Sequence, residues 1–128
     1  MVDRQIVEGW INKGDEELEF AKVSLEEGLE FYAQVCFFFH QAPEKYLKAY
    51  IIANELNLKR IHDLLELLRV CAENDEEFNN FYEEARILNP FYMGTRYPEF
   101  FITFNKSRTE QALGAAEAIA SFVKAKLQ

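Results

Sequence analysis

The sequence predicts an all-α fold, a single up-and-down bundle of about five helices closed by one aromatic-rich loop. Three observations predict it. Apolar residues recur at three, four and seven positions along most of the chain, which is the period of a helix with one buried face. Helix breakers are few, with 5 glycines and 3 prolines in 128 residues, and two of the prolines fall within residues 89–106. The one alternating apolar stretch, Phe100 to Phe104, is too short to build a sheet.

The elements follow in order. From about Arg4 to Glu27, the residues Val7, Ile11, Leu18, Ala21 and Leu25 form one stripe, Trp10 lies beside it, and the opposite face is acidic. Gly28 falls where the stripe ends, as a helix-terminating glycine does. From Phe31 to Leu56 the apolar residues occupy most of the helix circumference, which predicts the central helix. Pro43 stands in its middle. An interior proline removes a backbone hydrogen bond and costs about 3 kcal/mol in a straight helix, so a kink or local break is expected there.

Ile61 to Ala72 carries Leu64, Leu65, Leu67, Leu68 and Cys71 on one broad face. Asp75 to Leu88 carries Phe78, Phe81, Tyr82 and Ala85, with Asn74 as a candidate N-cap and Asn89-Pro90 as the stop. Residues 89–106 read as an irregular loop holding six aromatics. From Ser107 to Leu127, Ala112, Ala115, Ala116, Ile119, Phe122 and Val123 face inward, and the small residues permit close packing. There is no repeat and no linker, so residues 1–128 form one domain. A chain of this length buries roughly 65–70% of its unfolded surface, enough for one core.

Composition narrows the function. Twelve Phe, 6 Tyr and 1 Trp exclude disorder. Two cysteines, both in apolar runs, are too few for a disulfide scaffold. They point to free thiols in a reducing, cytoplasmic setting. No signal-peptide core and no membrane-spanning run is present. The formal charge is -8, but it is uneven. Residues 15–30 hold seven acids and one base, and residues 73–84 six acids and no base. Residues 41–69 sum to +1 and residues 86–108 to +3, so an anionic ligand is not excluded.

The chemical inventory is short. There is no glycine-rich phosphate loop, no paired cysteine spacing for zinc and no repeated Glu-x-x-His for a di-iron centre, so no metal or cofactor is implied. Three constellations remain. In the first, Gln41, Glu44, Lys45 and Lys48 share one side of a helix, either as a solvated face or as a polar seam at an interface or cleft. In the second, His62 and Asp63 open the third helix, as a cap or as a titratable ring beside a cleft. In the third, Arg96 stands among Tyr92, Tyr97 and Pro98, and either clamps phosphate beside stacking rings or pairs with an acidic helix while the rings seal the bundle.

The order of these residues resembles the HEPN family, the higher eukaryote and prokaryote nucleotide-binding domain. The matching residues are Trp10, then Gln41, Glu44, Lys45, Leu47, Lys48 and Ala49, then His62, Asp63 and Leu64, then Arg96, Tyr97 and Pro98. The resemblance covers about residues 5 to 125. It implies a helical bundle that forms homodimers and pairs with a small nucleotidyltransferase, in the manner of a toxin–antitoxin system. It also implies a metal-independent ribonuclease in those members whose arginine is followed four to six residues later by histidine. No arginine here has that spacing, since Arg60 and His62 are too close and no histidine follows Arg96. Pro43 stands where the family pattern has a small helix former.

Three functions therefore compete. The first is a dimeric binding module that takes a nucleotide, RNA or other phosphate-bearing ligand through Gln41, Glu44, Lys45, Lys48, His62, Asp63, Arg96 and Tyr97. The second is an endoribonuclease with His62 as acid–base and Arg96 on the phosphorane. The third is a ligand-free interaction scaffold.

Overall fold

A computed structural model describes residues 2–128, and all its regular structure is helical, with no strand among the described residues. Helix α1 spans Arg4–Glu26, α2 Tyr32–Ala53, α3 Leu64–Asn74, α4 Tyr82–Leu88 and α6 Lys106–Lys126, with a single turn, α5, at Phe91–Gly94. Two 3₁₀ segments join them, at Glu76–Phe81 and Pro98–Phe100. No helix of the described residues is long and apolar enough to cross a membrane.

Helix α2 is the central element and packs against α1, α3, α4, α5 and α6. Its buried residues run all round the axis, from Val35, Cys36 and Phe39 to Tyr46, Leu47 and Ile51. Pro43 lies in the helix interior, fully within the packing, and α2 continues through it as one helix. The expected local break is absent. Burying Phe39, Tyr46, Leu47 and Ile51 contributes several times the roughly 3 kcal/mol that the proline costs.

Helix α1 is capped by Asp3, whose carboxylate accepts from the Gln5 N–H at 2.9 Å. It ends at Gly28 with φ +76°, and the Leu29 N–H donates to the Ser24 carbonyl at 3.1 Å, a Schellman closure. The predicted stripe holds, with Val7 and Ala21 buried and Ile11, Leu18 and Leu25 packed against the core. Gly14 lets α1 approach the Tyr46 ring, since a Cβ there would stand 2.9 Å from Tyr46 Cε1. The adjoining Asp15 carboxylate accepts from both Tyr46 Oη, at 2.5 Å, and Lys124 Nζ, at 2.9 Å, so one side chain joins α1, α2 and α6.

Three boundaries differ from expectation. Helix α3 begins at Leu64 rather than Ile61, because Asp63 is its N-cap and takes the Leu65 N–H at 3.0 Å. The fourth segment divides into the 3₁₀ stretch and α4. Its cap is Asp75, which accepts from the Glu77 N–H at 3.1 Å, while the Asn74 amide donates to Tyr50 Oη at 2.7 Å. Helix α6 starts at Lys106, with Asn105 accepting from the Arg108 N–H at 2.8 Å. The loop of residues 89–106 is less irregular than expected, since it holds α5 and a 3₁₀ turn.

Both thiols are buried and unbridged. Burial pushes the Cys36 thiol up and the Cys71 thiol up to about 12.

Candidate functional site

The polar residues of α2 are not a solvated face. Glu44 and Lys48 are buried, and Glu44 Oε2 accepts from Lys48 Nζ at 3.2 Å, the expected pairing of residues four apart. The second carboxylate oxygen, Oε1, accepts from His62 Nδ1 at 2.8 Å. Glu44 therefore links the middle of α2 to the segment leading into α3.

His62 is held from several sides. Its ring stacks on Tyr92 at 4.1 Å between centroids and 14° between planes. Its backbone carbonyl accepts from His40 Nε2 at 2.9 Å. His40 is wholly buried, and that burial lowers its pKa. The other His40 ring nitrogen meets the Gln41 side-chain amide at 3.0 Å. With the His62 Nδ1 committed to Glu44, Nε2 is the ring nitrogen left for a ligand, an acceptor when the ring is neutral and a donor when it is protonated. No group among the described residues bonds that nitrogen.

Two clefts meet at His62. One, of about 460 Å³, is lined by Arg60, His62, Asp63, Asn89, Tyr92 and Met93. The other, of about 280 Å³, is lined by Trp10, Lys48, Leu58, Lys59, Arg60 and His62. Arg60 and His62 belong to both. Lys59 is engaged by Glu66 at 2.6 Å, and Lys48 Nζ stands 5.8 Å from the Trp10 ring centroid. Arg60 is exposed and has no ion pair among the described residues.

The remaining candidates divide. Arg96 stands beside the site through Tyr92, with its guanidinium carbon 4.1 Å from the Tyr92 centroid and its Nε donating to the Tyr92 carbonyl at 2.9 Å. Among the described residues it pairs with no acidic helix; its other neighbours are Met93 Sδ, 3.7 Å from Nη2, and the rings of Tyr97 at 5.4 Å and Phe37 at 5.9 Å. Tyr97 therefore touches the site through Arg96 and through its N–H, which donates to the Met93 carbonyl at 3.1 Å. Asp63 lines the larger cleft, but its carboxylate is occupied by the α3 N-terminus and by Asn89 Nδ2 at 3.1 Å. Lys45 points elsewhere, to Glu17 at 2.9 Å, beside Trp10 and Lys13.

The structure adds four residues that the sequence did not place in the site. Tyr92 is the platform shared by His62 and Arg96. His40 fixes the His62 backbone. Arg60 is the unpaired cation between the clefts, and Asn89 clamps the α3 start, its Oδ1 taking the Leu64 N–H at 2.8 Å. His40, Arg60 and Tyr92 had a signal, since each stands within a stretch of sequence that holds one of the three constellations. Asn89 had none as a site residue. No group of three or more His, Cys, Asp or Glu able to hold a metal occurs among the described residues.

The HEPN domain model matches residues 7–126. The chain belongs to the HEPN family. Among solved structures, the HEPN domain is similar to TT1696 from Thermus thermophilus at 29% identity, over 94% of this chain and 97% of that one, with a TM-score of 0.84. It shares its fold with ST0689, an archaeal HEPN homologue, at 22% identity, over 95% and 98% of the two chains, with a TM-score of 0.75. No curated protein matches the sequence.

Proposed function

We propose that this HEPN domain is a binding module for a nucleotide or similar phosphate-bearing ligand, working as a homodimer beside a small nucleotidyltransferase. One observation carries the ligand reading. His62 is fixed by Glu44, Tyr92 and His40, and it lines two clefts together with the unpaired Arg60, with no bond to its Nε2 among the described residues. A protonated His62 and Arg60 together supply two donors for phosphate oxygens, and Arg96 adds a guanidinium held on the same tyrosine. Trp10 and Met93 give each cleft an apolar wall for a base.

Calorimetric titration of ATP against wild type, Arg60→Ala and Arg96→Ala tests this. Binding in wild type that both substitutions weaken supports the reading. No binding in wild type, or equal binding in all three, overturns it. Light scattering of the purified chain tests the homodimer, and co-purification with the product of a neighbouring nucleotidyltransferase gene tests the partner.

The Glu44–His62 pair favours a second reading, the metal-independent endoribonuclease. A carboxylate that orients Nδ1 leaves Nε2 as a general acid–base. Against it stands the absence of the arginine-to-histidine spacing of the active family members. RNA cleavage by the purified chain that disappears in His62→Ala would move the assignment to this reading.

A further inference from the structure

We propose that the outer face of α1 is a docking groove for a basic amphipathic helix of a protein partner. Glu16, Glu19, Phe20, Val23 and Glu27 recur at three- and four-residue spacing and so share one face of α1. With Leu29 they line a groove of about 480 Å³. Its apolar side chains are large and open to solvent, with Phe20 57%, Val23 41% and Leu29 45% exposed. Three such residues gathered in one concavity differ from the scattered apolar residues every surface carries.

The groove is preformed. The Phe20 ring sits edge-on against Phe38 at 5.3 Å, which holds its position on the helix. The Schellman closure at Gly28 folds Leu29 back onto the last turn of α1, where its N–H bonds the Ser24 carbonyl. The Ser24 hydroxyl donates to the Phe20 carbonyl at 2.7 Å, so the floor offers no unmet hydroxyl proton. From residue 16 to residue 27 the face is about 16 Å long, the length of about three helical turns.

Charge decides the occupant. Glu19 and Glu27 have no ion pair among the described residues, and Glu16 has only Lys13 at 3.8 Å. The rim is therefore net acid around an apolar floor, since its nearby cations Lys13 and Lys22 pair with Glu16 and Glu117. Its complement is a helix with an apolar stripe flanked by lysine or arginine. A second copy does not fit, because a two-fold contact sets this patch against itself. That would place these glutamates against their own copies in a chain of charge -8.

The probe is a labelled helical peptide about three turns long, with leucines at three- and four-residue spacing flanked by lysines. It is titrated into the intact chain, with amide shifts as the map. We expect saturable binding, shifts confined to residues 16–31, and an affinity that falls about tenfold between about 0.05 and 0.5 M salt. Phe20→Ser with Val23→Ser, and separately the triple change Glu16→Gln, Glu19→Gln, Glu27→Gln, should each weaken it about tenfold or more. Circular dichroism confirms the fold of each variant. Equal binding of a peptide with glutamate in place of lysine overturns the proposal. So does equal binding of a lysine peptide with serine in place of leucine, shifts outside residues 16–31, or unchanged affinity in the triple variant. Conversion of a dimer to a monomer by the Phe20 and Val23 changes would assign the groove to self-association and also overturn it. ATP binding in the same variants reads the His62 site separately, so either reading can fail alone.

Discussion

Replacing Glu44 by glutamine keeps the side-chain shape and removes the one negative charge between Lys48 and His62. In the folded chain, Lys48 is 8% exposed at the side chain, and Glu44, at 3.2 Å, is its only ion-pair partner among the described residues. The variant therefore leaves a buried ammonium with no counter-charge. Breaking a buried pair from one side costs about 3–5 kcal/mol. The ceiling comes from neutralising the ammonium instead. An ordinary lysine at pH 7 gives up its proton for about 4.6 kcal/mol, at roughly 1.4 kcal/mol per unit. His62 adds little, because its side chain is 44% exposed and water replaces the lost acceptor. The expected loss is thus about 3–4 kcal/mol, a fall in melting temperature of roughly 10–15 °C. Urea unfolding of Glu44→Gln, Lys48→Met and the double variant checks it. The double variant should recover most of the loss, since removing both charges leaves nothing unpaired. A loss below about 1 kcal/mol in Glu44→Gln, or no recovery in the double variant, would refute the argument.

Other outcomes follow from single contacts. His40 should titrate below the ordinary histidine value, because burial lowers its pKa. The unfolded chain then binds the extra proton first, so this group's stabilisation is complete above about pH 6.5 and is lost as pH falls below it. Histidine resonances followed against pH, together with urea midpoints at both ends of that range, measure both effects. Gly14→Ala should cost about 1–3 kcal/mol, because the new Cβ meets the wholly buried Tyr46 ring. Gly94→Ala should cost less than Gly14→Ala, although its Cβ would run into Ile102 Cδ1, because that atom ends a flexible side chain. Thermal unfolding of the two variants compares them. Cys36 and Cys71 should resist a thiol reagent in the folded chain and react in urea, since burial raises both thiols. Labelling followed by mass spectrometry reads this directly.

The helices were legible where one local rule governs them. The stripe of Val7 to Leu25 and the all-round apolar α2 follow from period alone. The His62-Asp63 pair was legible as a cap, and Asp63 is that cap, but the start was placed at Ile61, so His62 was put on the helix instead of ahead of it. Asn74 and Asp75 are both acceptable caps in sequence. The choice falls to Asp75 because Asn74 is drawn to Tyr50, 24 residues away. Pro43 misled because its cost is local and its compensation is tertiary. In the site, Glu44 and Lys48 were visible as a pair one turn apart. Their burial was not, since it depends on α1 and on the chain before α3. Arg60 looked like half of a failed motif, and its place between two clefts depends on where Trp10 and Tyr92 fold.

The Asp15 carboxylate has a consequence for how the molecule opens. It binds side chains 31 and 109 positions away in sequence, one from the centre of the chain and one from its last helix. Both bonds end on the same oxygen, so neither α1 nor α6 can lift from α2 without disturbing them. The first and last helices should therefore exchange their amide hydrogens as one cooperative unit with α2, while the α5 turn and the 3₁₀ turn at Pro98–Phe100 exchange sooner. Asp15→Ala should loosen only the α6 end, since the Lys124–Asp15 pair is 43% and 42% exposed while buried Ile119 and Val123 still hold α6. Amides there should exchange modestly faster while those at the middle of α2 stay protected.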